Sequence, residues 1–549
     1  MAFFIQERGQ GASVLGALCL LCLSCLLTAC SHPGQTRRAD AARDASMATP
    51  ASRVMPDSAP LRPILQQAHA DPTQLLNRIS WGANASSAQQ MQVVGMDFYL
   101  AQQLDANTGK TVLPDAIQSQ LDGMTISQRP LAQLMRELEA QREAAAEQKG
   151  TDDSLRKAYQ QELTRLAREA AARTLLRAVY SPNQLQEQMA WFWMNHFNVS
   201  SQKNNLRAML GDFEEQAIRP HALGHFRDLL RATALHPAML RYLDNEHNAV
   251  KRMNENYARE LMELHTMGVD SGYTQGDVQE LARVLTGLGI NLRDSTPRLR
   301  PEWQRLYVRQ GLFEFNPQRH DFGDKTILGQ SVQGRGLAEV DQVLTFLSRQ
   351  PATAHFISRK LAVYFVSDTP SAALVESMAQ RFLQTDGDIA AVLRSMFDAP
   401  EFVASLGGKF KDPLHYVVSS IRLAYDGSSL RNTAPLLNWL NTMGQQANGH
   451  QTPDGYSMLE SAWASPGQMT LRFDIAKTIA AGSPALFRSD AADAPARAQD
   501  MPRPALAGSA YVKQWVSRFS PGTQQALLQA ATPQEWNAFF LAAPEMMRR

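Results

Sequence analysis

Six of the twelve histidines fall between residues 196 and 265: His196, His221, His225, His236, His247 and His265. Glu214, Glu215, Asp244, Glu246, Glu255, Glu260 and Glu263 lie in the same stretch. Imidazoles and carboxylates supply metal ligands and general acid–base pairs, so this density is the first place to look for chemistry. His320 and Asp321 form a second His/Asp pair, next to the turn-forming run Gly323-Asp324. Asp and Gly also simply make turns, which is the plainer reading of that pair. His221 and His225 have the i, i+4 spacing of a metal pair, but Pro220 and Gly224 weaken a helix there and favour a surface position. HExxH is absent, as are the phosphate-cradling GxxxxGK(S/T) loop and the GxSxG nucleophile elbow, and beyond residue 30 there is no CxxC.

The elements that would position these residues are mostly helical. Leu185, Met189, Phe192 and Trp193 recur at helical spacing after Ser181-Pro182-Asn183-Gln184, which predicts Ser181 as N-cap and Pro182 at N1. His196 then falls in the middle of the apolar face and is predicted to be buried with a polar partner. The plainer reading is a core histidine; the functional reading is a ligand or base. The run Asn254 to His265 reads as one helix, with Tyr257, Leu261 and Leu264 inward and Glu255, Arg259 and Glu263 as a charge ladder. On a regular helix His265 and Glu260 are about 140° apart, so they cannot hold one ion alone. A site would pair them with another helix, and His196 is the best candidate. The candidate catalytic set is therefore His196, Glu260 and His265. The candidate metal ligands are His196, His265, His320 and Asp321, with a divalent metal the candidate cofactor. The plainer reading of this helix is a buried, salt-bridged element.

Thr274-Gln275-Gly276-Asp277 predicts a second capped helix, running through Leu281 and Val284 to near Gly287. Residues 129–178 predict a charged helical hairpin turning near Gly150. LFEFN (312–316) and KTILG (325–329) carry the best strand signals and predict a small β-hairpin. The fold class expected is mostly α, a large multi-helix body with that hairpin near 312–329.

All four cysteines lie in the first 30 residues: Cys19, Cys22, Cys25 and Cys30. The apolar run Val14 to Leu27 is too short to span a bilayer as a helix, for which about 20 residues are needed. It reads as the core of a secretory signal. Leu27-Thr28-Ala29-Cys30 resembles the bacterial lipobox, which makes Cys30 the lipidated first residue of the mature chain. Ser31, rather than Asp, follows it, so the resemblance implies the outer membrane, on either face. Beyond Cys30 no thiol remains, which excludes cysteine catalysis and Fe–S binding in the mature domain. With 549 residues, 44% hydrophobic and 19% charged, the chain is globular, and its net charge of +1 argues against a nucleic-acid partner. The expected organisation is a signal peptide (1–29), a tether rich in Ala, Ser and Pro (30–63), a main helical domain (64–490), a linker (491–504) and a C-terminal helical segment (505–549). In that last segment Pro521 follows Ser520 as a helix start.

The blocks WFWMNHF (191–197), HPAMLRYLDN (236–245), NENYARELMELHTMGVDSGYTQGDVQELARVLTG (254–287), HDFGDKTILG (320–329) and PATAHFISRKLAVYFVSDTP (351–370) resemble the bacterial family catalogued as domain of unknown function 1800. TPDGY (452–456) and LLNRISWG (75–82) agree in order, so the resemblance covers about residues 65–485. It implies a large, mostly helical exported protein and no established activity. It also implies an association with a second exported family, number 1501, encoded nearby, whose fold resembles alkaline phosphatases and sulfatases. Two function classes follow. The first is an accessory envelope lipoprotein that binds or helps export a partner protein or polymer. The second is a metal-dependent hydrolase or oxidoreductase using His196, Glu260, His265 and, with them, His320 and Asp321.

Overall fold

In the computed structural model, residues 71–105, 112–147, 153–293, 295–488 and 501–549 are described. The body is mostly helical, as its periodicity predicts. Its first described helix, α1 (Pro72–Ile79), starts from an Asp71 cap and buries Leu75, Leu76 and Ile79. Arg78 on the same helix is fully buried. Its guanidinium donates to the main-chain oxygens of Phe365, Ser405 (2.5 Å) and Arg549 (2.7 Å) and to Ser405 Oγ (2.8 Å). Its two terminal nitrogens are met in this way, as a buried cation requires, while Nε has no partner.

Helices α2 (Leu131–Glu147) and α3 (Ser154–Tyr180) pack on each other as the expected hairpin; the turn near Gly150 lies outside the described residues. Helix α4 (Gln184–His196) starts two residues later than the sequence suggests. Asn183 is its N-cap, and Ser181 Oγ instead accepts from the Asn183 amide at 3.2 Å in the turn before it. Pro182 therefore lies in the approach to the helix and not at N1. Helix α5 (Gln275–Val284) has the predicted capping box, with Thr274 and Asp277 each bonding the other's backbone.

The stretch around Asn254 to His265 departs from the expected single α-helix. An α-helical turn, Asn256–Glu260, runs into a π-helical one, Leu261–Thr266. The wider turn changes which residues face inward. Met262 and His265 are buried, whereas Leu264 is only half-buried. The 140° separation of Glu260 and His265, derived for a regular helix, does not hold here. The charge ladder does form, with Arg259 3.5 Å from Glu255 and 3.6 Å from Glu263.

Among the described residues, two small antiparallel sheets interrupt the helices. In one, β3 (Phe313–Phe315) lies between β1 (Leu288–Ile290) and β2 (Val308–Gln310). The other is a hairpin of β4 (Lys325–Ile327) and β5 (Gln330–Val332). A hairpin thus lies where the sequence places one, but LFEFN and KTILG each pair with a different neighbour. The remaining helices used below are α6 (Leu337–Ser348), α7 (Pro351–Phe365), α8 (Pro413–Ala424) and α9 (Ala434–Thr442).

Two buried apolar clusters hold the body together. One centres on α4, the π-helical turn and α7; the other on Trp81, α8 and the C-terminal helices, including Phe540, Leu541 and Met546. Trp191 packs against both. Residues 505–549 are thus packed on the body, and Ser520 caps the helix beginning at Pro521. No described helix is long and apolar enough to cross a membrane. The signal, Cys30, the tether and most of the 491–504 linker fall outside the described residues.

Candidate functional site

Helix α4 ends by presenting two faces to two different environments. His196 points into the core and meets His265 from the π-helical turn, with ring centroids 6.2 Å apart. Both rings are about 1% exposed. His196 Nε2 lies 3.1 Å from the His265 carbonyl oxygen and Nδ1 lies 2.9 Å from Lys360 Nζ on α7. A carbonyl can only accept, so Nε2 carries the proton and Nδ1 accepts from the lysine. Phe192, Trp193, Phe197 and Phe356 pack around the His196 ring.

Electrostatics follow from this enclosure. Burial, then Lys360 and His265, hold His196 far below the usual histidine range. Burial and Lys360 take His265 down to about 3. Burial lowers Lys360 to about 8, against the pull of Asp454. Both nitrogens of His196 are engaged, so a metal there must displace Lys360 or the carbonyl. Glu260 is half-buried beside Glu263 and Asp454, its carboxyl pushed up by burial and by those like charges.

His320 and Asp321 belong to another network. His320 Nδ1 donates to the Thr286 carbonyl at 2.7 Å, and Asp321 pairs with Arg283 at 2.9 Å. Glu339 and Lys325, both fully buried, form an ion pair beside the His320 ring. The structure thus brings His196 and His265 together and leaves His320 and Asp321 elsewhere. His236 caps a helix and pairs with Asp212 at 3.0 Å, and His225 faces the Asp386 carbonyl at 3.1 Å. Among the described residues no group of three or more His, Cys, Asp or Glu is placed to hold a metal ion.

Further residues gain a place that sequence reasoning did not give them. Asp412 Oδ2, His415 Nδ1, His415 Nε2 and the Tyr364 hydroxyl form a buried relay with steps of 3.0 and 3.2 Å. The Asp412-Pro413 step that caps α8 is the local signal that could have drawn attention to them. The loop 450–456 locks on the other face of α4: the Tyr456 amide donates to Asn195 Oδ1 at 2.7 Å, and Asn195 Nδ2 donates to the Tyr456 carbonyl at 2.9 Å. Gly455 has φ +76°, and a Cβ on it would stand 2.1 Å from the Asn195 carbonyl oxygen. Gly455→Ala is expected to cost about 1–3 kcal/mol and to loosen this loop, read as a lower urea midpoint with faster proteolysis near residue 455.

On that face a groove of about 850 Å³ runs between α3 and α9, lined by Arg165, Arg168, Asn438 and Asn441 among others. A smaller cavity of about 60 Å³ adjoins it, the two sharing Ala171, Gln446, Ala447 and Asn448. Trp191, Met194, Asn195, Glu214, Leu440 and Gln445 line the smaller one. Glu214 sits on a second π-helical turn, Phe213–Ile218, and accepts from Thr174 Oγ1 at 2.6 Å. Burial pushes its carboxyl up, opposed by Arg173.

A large helical body with a polar groove and a histidine pair sealed in its core defines the class of this protein. Residues 74–548 match the family described as protein of unknown function DUF1800, and the chain belongs to that family. No curated protein and no solved structure matches the chain.

Proposed function

We propose that the chain is a lipid-anchored envelope protein whose body binds an extended polar polymer in the groove between α3 and α9, as an accessory to an exported partner. The observation that carries this reading is the groove itself. It is about 850 Å³, open, and lined by planar amides and by Arg165, Arg168 and Arg207, of which Arg165 is ion-paired to Glu162 and Glu169. Amides both donate and accept, which suits the vicinal hydroxyls of a polysaccharide, and the arginines favour a polymer bearing some negative charge. The lipobox at Leu27 to Cys30 supports the anchor, and the outer membrane is the location it implies.

The second reading, a metal-dependent hydrolase or oxidoreductase at His196, Glu260 and His265, has one observation in its favour. His265 Nε2 is buried without a hydrogen-bond partner, beside His196. It requires Lys360 to leave His196.

The full chain is expected to bind soluble envelope oligosaccharides, and Arg165→Glu with Arg168→Glu to weaken that binding at least tenfold. No binding, or no effect of the pair, would remove the groove reading. A stoichiometric metal in protein purified without chelator, lost in His265→Leu, would install the second.

A further inference from the structure

We propose that the small cavity at the groove's inner wall is a specificity subsite that takes the acetamido group of an N-acetylated amino sugar. This rests on the groove reading above and names what the groove selects.

The cavity has the size and chemistry of that group. At about 60 Å³ against about 850 Å³ for the groove, the cavity is a side pocket for a small substituent, and an acetamido group has four non-hydrogen atoms. The walls are mainly apolar, from Leu175, Trp191, Met194 and Leu440. The buried amides of Asn195 and Asn198 are taken up by the 450–456 loop, which leaves two buried polar groups, Gln445 and Glu214, to break that surface. Gln445, 4% exposed, uses Oε1 to accept from the Leu414 amide at 2.8 Å. That bond fixes the amide's orientation, because a backbone N–H can only donate. Gln445 Nε2 is then left buried with no partner. An unmet buried donor is costly, so a ligand carbonyl that meets it gains selectivity. Glu214, 3% exposed, is the second polar group, held at one oxygen by Thr174.

The acetamido group matches all three features at once. Its carbonyl accepts from Gln445 Nε2, its N–H donates to Glu214, and its methyl meets the apolar wall. Other small groups leave something unpaired. A phosphate or carboxylate would face the Glu214 carboxyl with no cation lining the cavity. An alkyl group would leave Gln445 Nε2 orphaned. A hydroxymethyl lacks the methyl that fills the apolar side. The arginines and amides of the adjoining groove then hold the rest of the chain. The widened π-helical turn is the local device: it places Glu214 toward the cavity while Glu215 turns to Arg177, 2.6 Å away. Such turns recur at functional sites.

The test compares two soluble tetramers by titration calorimetry with the full chain: β-1,4-linked N-acetylglucosamine and its acetamido-free counterpart, cellotetraose. At least a tenfold preference for the acetylated tetramer is expected. Gln445→Glu keeps the acceptor for Leu414 and removes the donor, so it should abolish the preference. Glu214→Gln keeps an acceptor for Thr174 and turns an N–H toward the ligand's N–H, so it should also abolish it. Unchanged melting would show that both variants fold. Equal affinity for the two tetramers, with binding still lowered by the Arg165 and Arg168 changes, would overturn the subsite and leave the groove reading. Binding of neither tetramer, or of an N-acetylated peptide in their place, would overturn both.

Discussion

Replacing Glu339 by alanine is expected to destabilise the fold by about 3–5 kcal/mol, the largest effect of any single side chain described above. Glu339 has no exposed surface, and its ion-pair partner Lys325 has none at the side chain. One carboxylate oxygen meets Lys325 Nζ; the other accepts from the Arg335 amide at 2.6 Å and the Gly336 amide at 3.2 Å. It thus closes the first turn of α6 and compensates an ammonium brought in by β4. Alanine would leave that ammonium buried beside the His320 ring with only the Asp321 carbonyl as partner. Urea unfolding followed by circular dichroism measures the loss. Glu339→Gln keeps an acceptor for the cap and removes the charge, so it should cost less. A loss below about 1 kcal/mol for the alanine variant would mean that Lys325 reaches water.

Stability is expected to fall steeply as the pH drops below about 6.5. His196, His265 and His415 are buried as neutral rings. Burial, with Lys360, takes His265 to about 3, and burial, with the Arg549 guanidinium, takes His415 to about 4. His196 lies far below its ordinary range for the same kind of reason. Unfolding returns each ring to about 6.5. Above that value neither state binds the protons, and the full stability is present. Below it the unfolded chain binds more protons, and stability is lost until the folded rings titrate. Each histidine contributes a slope of about 1.4 kcal/mol per pH unit, so three give roughly 4 kcal/mol per unit near pH 5. Urea midpoints between pH 7.5 and 4.5 would show it. His265→Leu should remove about one proton from the slope at a cost in stability at pH 7.5. A flat profile would mean that the rings are protonated in the folded state.

Helix existence was well marked in the sequence, because apolar spacing and capping residues are local. Thr274 with Asp277, and Ser520 with Pro521, cap the helices that their side-chain chemistry requires. The burial of His196 was equally legible from its place on the apolar face. Its partners were not: Lys360 is 164 residues away, and nothing in a helical period marks which lysine will turn inward. The two π-helical turns were invisible because an extra residue in a turn leaves no composition signal, yet they decide where Glu214 and His265 point. The strand segments were found by alternation, but pairing depends on partners such as Leu288–Ile290, which carry no strand pattern of their own. The groove escaped for the same reason. Its amides are unremarkable singly and meet only after α3 and α9 have packed.

The reach of Arg78 has a kinetic meaning. Its guanidinium binds main-chain oxygens 287, 327 and 471 positions along the chain. The entropy of closing such loops must be met before those bonds form, and contacts between distant segments slow folding. Until they close, a cation and the apolar face of α1 stand unprotected while several hundred residues find their places. Dilution from denaturant should therefore give slow, concentration-sensitive recovery, with losses to aggregation that a holding chaperone would relieve.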